Sequence, residues 1–336
     1  MLKRRTVLAG MLASATFPAI GRAQTPVKIR LAYAAAPAQL IPVIFSYPKI
    51  LKHYGKTYTV ESNHFGGSSQ ELTALAAGEL DIAALAFSTF GLAIQNAHMN
   101  DLRLIGDLYQ DGVGDHYSSE YMVGAKSNIK TVKDLKGKTL ASNGIGGAVD
   151  IAMRKMLLDN GLVADRDYRI IEVRFPNMPA MLEEGKVDLA GMIAPFSLQA
   201  KKKYGVRPLF TIKDAMGVAQ TTLMAARKPF IDKNHAALVD FFEDAQIGTK
   251  WFVNPANRAK ALEVVSRFTK QPVSYYQDWL FTKSDYYRDP EVRPNVVALQ
   301  NNLNVQKALG FLKISIDVSK YSDLSMVNEA AKRHST

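Results

Sequence analysis

Hydrophobic and polar residues alternate near the start of the chain, across residues 27–33, where Lys28 and Arg30 separate apolar positions. A period of two predicts a β-strand. Short apolar runs at about 58–65 and 80–85 predict two further strands.

Helical patterns lie between these strands. One helix is predicted to end near Tyr54, just before Gly55, and another to start at Ser68 and stop at Gly78. Ser68 and Glu71 have the spacing of a capping box, which predicts Ser68 as the N-cap of the second helix.

The pattern then restarts. Strands are predicted at 121–123 and 138–141, and residues 143–147 open an amphipathic helix that ends at Gly161. The apolar positions of this helix follow a period of 3.6 residues: Val149, Ala152, Met153, Met156 and Leu157. Strands that alternate with helices predict an α/β fold with mostly parallel sheets.

An internal repeat supports two units of similar plan. Residues 75–83 and 182–190 both combine a helix end, a glycine and a short strand. Gly78 and Gly185 are 107 positions apart, and so are Asp81 and Asp188. After residue 226 the pattern becomes helical, with helices predicted at about 234–252, from Pro255, and near 273–279, 296–309 and 324–332.

The N-terminal segment 1–23 has the features of a cleaved export signal. Lys3, Arg4 and Arg5 precede an apolar stretch that is short for a membrane span, and Gly21 and Ala23 place small residues before Gln24. The paired arginines resemble a twin-arginine signal, but general secretion remains equally open. We therefore expect a periplasmic protein, cleaved before Gln24.

Composition narrows the function classes. The chain has no cysteine, which excludes a disulfide scaffold and a thiol nucleophile. Removal of the signal lowers Lys plus Arg from 42 to 38 against 31 acidic residues, a net charge of +7. The one tight basic cluster, residues 201–203, is expected to be a solvated face, and no nucleic-acid motif accompanies it. We expect a soluble monomer that binds neither nucleic acid nor a metal.

Enzyme motifs fail on inspection. Gly144, Gly146 and Gly147 follow a strand and open a helix, but Val149 stands where a dinucleotide fingerprint needs its third glycine. The chain has no Walker A sequence, nucleophile elbow or paired-histidine zinc helix. We therefore expect no catalytic residue and no cofactor.

Small polar loops remain, one in each half of the repeat. Ser68-Ser69 and Gly146-Gly147 each stand at a predicted helix N-terminus, where unpaired amides and the helix dipole favour an anion. Two such loops beyond strand ends favour a cleft over ordinary capping.

Several motifs resemble the substrate-binding proteins of ABC importers, in the group that handles sulfonates, taurine, nitrate and thiamine-pyrimidine precursors. The matching segments are Phe65-Gly66-Gly67-Ser68, residues 76–83, residues 131–138, and Gly185-Lys186-Val187-Asp188 with Ala194-Pro195-Phe196. The resemblance spans nearly all of the chain after the signal, but the motifs do not specify a ligand.

The resemblance implies a type II periplasmic binding fold with two Rossmann-like lobes, a hinge and a central cleft. One lobe would combine residues 24–118 and 225–336, and the other would be residues 119–224. A small organic anion would bind between the lobes and pass to the permease subunits. The expected substrate-binding residues are Gln39, Gly67, Ser68, Ser69, Ser88, Thr89, His116, Asn143, Gly146, Gly147, Asn177 and Phe196.

Aromatic residues beside these loops favour an aromatic carboxylate such as phthalate. The residues concerned are Phe65, Phe87, Phe90, Tyr117, Phe175 and Phe196. Two other functions stay open: a receptor for a membrane signalling protein, and a pyrimidine-precursor enzyme of the same fold.

Overall fold

The computed structural model describes residues 25–96 and 99–334, so the predicted signal at 1–23 lies outside the described residues. The strands are β1 (Val27–Tyr33), β2 (Tyr58–His64), β3 (Ile82–Ala86), β4 (Leu102–Asp111), β5 (Glu120–Val123), β6 (Thr139–Ser142), β7 (Arg169–Glu172), β8 (Leu189–Met192), β9 (Arg207–Thr211) and β10 (Ala219–Arg227).

The helices alternate with these strands in the first two thirds of the chain and dominate the last third. They are α1 (Ile41–Phe45), α2 (Ser68–Ala76), α3 (Phe87–Asn96), α4 (Ala148–Asp159), α5 (Met178–Glu183), α6 (Phe196–Tyr204), α7 (Ile212–Met216), α8 (Lys228–Val253), α9 (Arg258–Thr269), α10 (Val296–Ala308) and α11 (Ser325–Lys332).

Two five-stranded sheets organise the described residues. The orders are β2-β1-β3-β10-β4 and β7-β6-β8-β5-β9. In each sheet four strands run parallel, and one strand, β10 or β5, runs antiparallel beside two of them. We call each sheet with the helices packed on it a lobe. The predicted α/β fold is confirmed.

The internal repeat is present in three dimensions. Gly78 and Gly185 follow α2 and α5 with φ of +74° and +68°, a conformation that suits glycine. The side chains of Asp81 and Asp188 then accept hydrogen bonds from the amides of Arg30 on β1 and Thr139 on β6.

Each sheet is buried on both faces, as expected for parallel strands covered by helices. In the first lobe, Ile29 and Leu31 face a cluster that includes Phe241, while Leu85 and Leu223 face α3 and α10. Smaller clusters lie on the two faces of the second sheet.

The predicted helix ending near Tyr54 is wrong in length. Helix α1 ends at Phe45, and residues 48–50 form a separate short turn that begins at Pro48. Proline cannot donate the backbone hydrogen bond that would continue a helix, so the chain breaks there. The predicted helix over 273–279 is also shorter, because only residues 273–275 form a single 3₁₀ turn.

Two segments connect the lobes: the stretch between β4 and β5, and the stretch between α7 and β10. Ala219 pairs with β4 and residues from Thr222 pair with both β3 and β4, so residues 219–224 form part of the first sheet, although Ala219 also packs in a core cluster of the second lobe. Asp111 fixes the first connection, since its carboxylate accepts hydrogen bonds from the Ser118 hydroxyl and from the amide and hydroxyl of Ser119.

Candidate functional site

Six of the predicted site residues lie at one edge of the first sheet. Strands β1, β2 and β3 are parallel, so the segments that follow them meet at the same edge. These segments carry Gln39, Gly67, Ser68, Ser69, Ser88 and Thr89.

Gln39 shapes the loop after β1. Its side chain is buried, and Oε1 accepts hydrogen bonds from the amides of Ala34 at 2.7 Å and Ala35 at 3.1 Å. That oxygen therefore fixes the backbone of the loop from within.

The predicted capping box at Ser68 is wrong. Gly67 is the N-cap of α2, and Ser68 is its first residue. Ser68 Oγ accepts from the amide of Ala86 at 3.0 Å, and Glu71 Oε2 accepts from the amide of Ala84 at 2.7 Å. Strands β1 and β3 pair at a single position, so these two side chains bond the β3 edge that β1 leaves open.

The side chain of Glu71, in the first turn of α2, is fully buried. Burial raises the pKa of Glu71 to about 8, although the hydrogen bond from Ala84 opposes the shift. Among the described residues, Oε1 has no hydrogen-bond partner. A protonated Glu71 at neutral pH leaves the α2 N-terminus without a fixed negative charge.

Ser69 is exposed at the start of α2, whereas Ser88 is buried and Thr89 is partly buried at the start of α3. Within the residues that the structure describes, the amides of Ser68 and Ser69 have no acceptor. The Ser88 carbonyl accepts from Gln306 at 3.0 Å, which ties α3 to α10.

Four more predicted residues lie at the corresponding edge of the second sheet, and Phe196 begins α6 next to it. Asn143, Gly146 and Gly147 follow β6, and Asn177 follows β7. The side chains of Asn143 and Asn177 are exposed.

The amides of the loop before α4 are already occupied. Ile145 donates to Glu172 Oε1 at 2.8 Å, Gly146 to Asp150 Oδ2 at 2.8 Å, and Gly147 to the Gly144 carbonyl at 3.1 Å. The amides of Gly146 and Gly147 are therefore paired, whereas those of Ala148 and Val149, the first two residues of α4, have no acceptor among the described residues.

Asp150 and Glu172 escaped the sequence analysis. Asp150 stands four residues after Gly146 in the first turn of α4, where an acidic side chain suits the helix dipole and reaches back to free amides. That spacing was the available signal. Burial raises the pKa of Asp150, and Arg154 opposes the shift through a 2.9 Å bond to Oδ2.

Arg174 was also missed. It follows β7 at the second sheet's edge, its side chain is exposed, and among the described residues it has no acidic partner. A cation next to Phe175 is the feature that the sequence analysis did not find in the predicted cleft.

The six aromatic residues differ in burial, and Phe65 is partly buried against the core of the first lobe. Phe87, Phe90 and Tyr117 are buried, so they belong to packing. Phe175 and Phe196 are only partly buried and stack with centroids 6.0 Å apart and an interplanar angle of 14°. This pair offers an apolar surface at the second sheet's edge.

His116 lies in the connection between the lobes. Its Nδ1 is 3.2 Å from the Asp285 carbonyl, and its ring packs edge-on against Tyr287. These contacts give His116 a structural position against the first lobe.

The lobes touch on both sides of the connection. Tyr117 and Ser197 share a 2.5 Å hydrogen bond between their hydroxyls, and Arg154 lies 5.5 Å from the ring of Phe311. The sheet edges with the predicted residues therefore belong to two bodies already in contact.

A histidine and two carboxylates, His53, Asp240 and Glu243, form a possible metal-binding group within the described residues. Lys52 and Arg333 already pair with Glu243. Burial opposes ionisation of Glu243, but hydrogen bonds from these cations and His53 outweigh it and lower its pKa to about 2. The group is an ion-pair network that joins α8 to its neighbours.

In the described part of the chain, no helix is long and apolar enough to cross a membrane.

Solved structures share this architecture. The aliphatic sulphonate-binding protein SsuA of Escherichia coli superposes with a TM-score of 0.68 at 19% identity, over 88% of this chain and 92% of that one. The nitrate-binding protein NrtA of Synechocystis PCC 6803 gives 0.72 at 16% identity, over 92% and 89%. The desulfurization enzyme DszB gives 0.67 at 12% identity, over 92% and 99%.

The two SsuA and NrtA structures are periplasmic binding proteins, and their fold is the one predicted here. No curated protein matches the chain. A family model described as the NMT1-like family matches residues 22–266, and the chain belongs to that family.

Proposed function

We propose that this protein is the extracytoplasmic solute-binding subunit of an ABC importer and that it captures a small organic anion between its lobes. The observation that carries the proposal is the pair of sheets with equivalent strand order, whose carboxyl-end loops provide small polar groups and one free cation. Ligands of open α/β sheets bind beyond the carboxyl ends of the strands. The lobes would be residues 24–118 with about 219–336, and the segment between.

On the first lobe, the anion would bind at the start of α2. The amides of Ser68 and Ser69 are unpaired among the described residues, and the helix dipole adds partial positive charge. Ser88 and Thr89, at the start of α3, would complete this half. A protonated Glu71 supports the assignment, because an ionised carboxylate there would repel the ligand.

On the second lobe, Arg174 would supply the charge that the Gly146 and Gly147 amides cannot. Charge-assisted hydrogen bonds from a guanidinium suit a carboxylate or a sulfonate equally. The adjacent Phe175–Phe196 pair would hold an apolar or aromatic part of the ligand, which favours an aromatic carboxylate.

The sulphonate-binding and nitrate-binding structures support an anion as cargo, permease subunits as partners and the periplasm as location. Residues 1–23 would direct the export of this chain. The alternative of an enzyme rests on DszB, which shares the fold. The chain has no cysteine to act as a nucleophile, which favours binding without turnover.

The test is native mass spectrometry of freshly purified protein, followed by calorimetry with the molecule that it carries and with a panel of carboxylates and sulfonates. We expect one ligand per chain, recovered unchanged. Steady release of a modified product would contradict the proposal, and so would a carried ligand without an acidic group.

A further inference from the structure

A groove of about 380 Å³ lies between the lobes, on the side of α6 that faces the first lobe. One wall comes from α6 and the other from residues 272–284. Its lining includes Leu198, Lys202, Pro272, Tyr275, Asp278 and Trp279.

The α6 wall is one face of a helix. Pro195, Leu198, Gln199 and Lys202 follow the spacing i, i+3, i+4 and i+7, which places them on the same side. Leu198 packs against the core of the first lobe, so the groove is bounded by a real contact between the lobes.

The opposite wall is aromatic. Trp279 is 4% exposed, and its indole Nε1 donates to the Tyr275 carbonyl at 3.0 Å, which fixes the ring. Tyr275 is only partly buried, and with Pro272 and Pro195 it forms an apolar surface beside the buried indole, which suits a planar apolar group.

One cation and one anion, Lys202 and Asp278, also line the groove. Lys202 Nζ and Asp278 Oδ2 are 3.6 Å apart, and their side chains are 84% and 66% exposed. An ion pair so exposed adds little to stability. Its neighbours in the basic cluster differ, because Lys201 pairs with Glu120 and Lys203 lies over Tyr204.

We propose that this groove is a second binding site, separate from the strand-edge cleft, for a small zwitterion with a planar apolar body. Its carboxylate would meet Lys202, its ammonium would meet Asp278, and its ring would lie against Tyr275 and Trp279. Because the walls come from both lobes, a bound molecule favours this arrangement of the lobes and couples the groove to closure.

The test uses three probes on the full-length mature chain: phenylalanine, phenylacetate and phenethylamine. The Trp251→Phe variant leaves Trp279 as the one tryptophan, since the sequence has two. Saturable change of its emission reports binding beside the indole. We expect phenylalanine to bind more tightly than either singly charged probe.

Charge variants assign the two ends of the probe. Lys202→Gln should weaken the binding of phenylalanine and phenylacetate about two- to fivefold and leave the binding of phenethylamine unchanged. Asp278→Asn should weaken the binding of phenylalanine and phenethylamine and leave that of phenylacetate unchanged. The matched control is Lys203→Gln, one residue away on the same helix and outside the groove. Ser274→Trp, an exposed position, should fill the groove and abolish binding of all three probes, measured by calorimetry because the added indole would mask the Trp279 emission.

Several results would overturn the proposal: no saturable signal with any probe at millimolar concentration, equal effects of Lys202→Gln and Lys203→Gln, or retained binding in Ser274→Trp. If Arg174→Gln, at the sheet edge, weakened phenylacetate while Lys202→Gln did not, the probe would bind in the cleft. The anion-binding proposal would then stand and the groove proposal would fail.

Discussion

Asp81 and Asp188 occupy the same position in the two lobes, yet they differ in their hydrogen bonds and in their exposure. Both accept a hydrogen bond from a backbone amide, at 2.8 Å from Arg30 on β1 and 2.9 Å from Thr139 on β6. Asp81 also binds the Arg30 guanidinium through Nε and Nη2, and its side chain is 10% exposed. Asp188 is 34% exposed, with Lys138 at 3.5 Å.

The helix-opening loops differ more deeply. In the first lobe, the amides that open α2 have no acceptor among the described residues. In the second lobe, Asp150 and Glu172 fill the amides that precede α4. The first-turn amides of α4, those of Ala148 and Val149, also have no acceptor among the described residues, so the lobes differ in the acidic residues that pair the preceding loop and not in the helix end itself.

The largest expected effect concerns the buried carboxyl of the first lobe. The pKa of Glu71 is about 8, against 4.5 as its ordinary value. The folded state holds this proton more tightly, so its contribution to stability is full below about pH 4.5 and is lost as the pH rises through about 8. The shift limits that loss to about 5 kcal/mol. We expect Glu71→Gln to flatten the decline in urea unfolding free energy across this range.

The Glu71→Gln variant keeps an oxygen acceptor for the Ala84 amide. Asp150→Asn tests the second lobe in the same way. If the unfolding free energy of Glu71→Gln declined with pH as steeply as that of the parent protein, Glu71 would not be the group that titrates.

Replacing Asp81 and replacing Asp188 should lower the unfolding free energy by different amounts. Asp81→Ala removes three hydrogen bonds, two of them to a guanidinium, and we expect a loss of about 3 kcal/mol in the unfolding free energy. Asp188→Ala removes one hydrogen bond, from the Thr139 amide, and an exposed ion pair, and its unfolding free energy should fall by about 1 kcal/mol. Urea denaturation measures both, and equal losses would contradict the difference described above.

The charge on the second lobe can be tested through Arg174. Arg174→Gln should weaken the anionic ligand about tenfold to a hundredfold in calorimetry, because it removes a charge-assisted bond. Raising the salt concentration should weaken ligand binding by the parent protein more than ligand binding by the variant. Arg169→Gln, at the opposite end of β7, is the matched control and should bind normally. An unaffected Arg174→Gln would leave the second lobe without an assigned cation.

The smallest effects come from the helix-opening loops. Ser69→Ala should weaken the ligand about tenfold without a change in thermal stability. Asp150→Asn should leave its affinity unchanged or raise it a few-fold, since a nearby negative charge is removed. Ser266→Ala, on α9, is the control for Ser69. Weaker binding in Asp150→Asn alone would reverse the roles of the two loops.

Sequence reasoning located β1, β2, β3, β5 and β6 closely, because period-two alternation and glycine stops are local signals, but it predicted no strand for β4, β7, β9 or β10. The repeat of Gly78 and Gly185 is one such signal, and its glycines do adopt the conformation that a helix end requires. Helix α1 is shorter than predicted because Pro48 interrupts the apolar run, whereas Pro42 lies in the first turn, where proline is tolerated.

The sequence by itself determined the α/β class, the two-unit plan and the small polar loops at the strand ends, since each depends on neighbours a few residues apart. The tertiary structure decided which loop groups are paired, because Glu172 accepts from the Ile145 amide from another strand and the Ser68 hydroxyl bonds to β3 across the sheet edge. It also decided that Lys202 meets Asp278 on the other lobe. Contacts between residues far apart in sequence follow from the relative placement of strands and lobes, which no local pattern encodes.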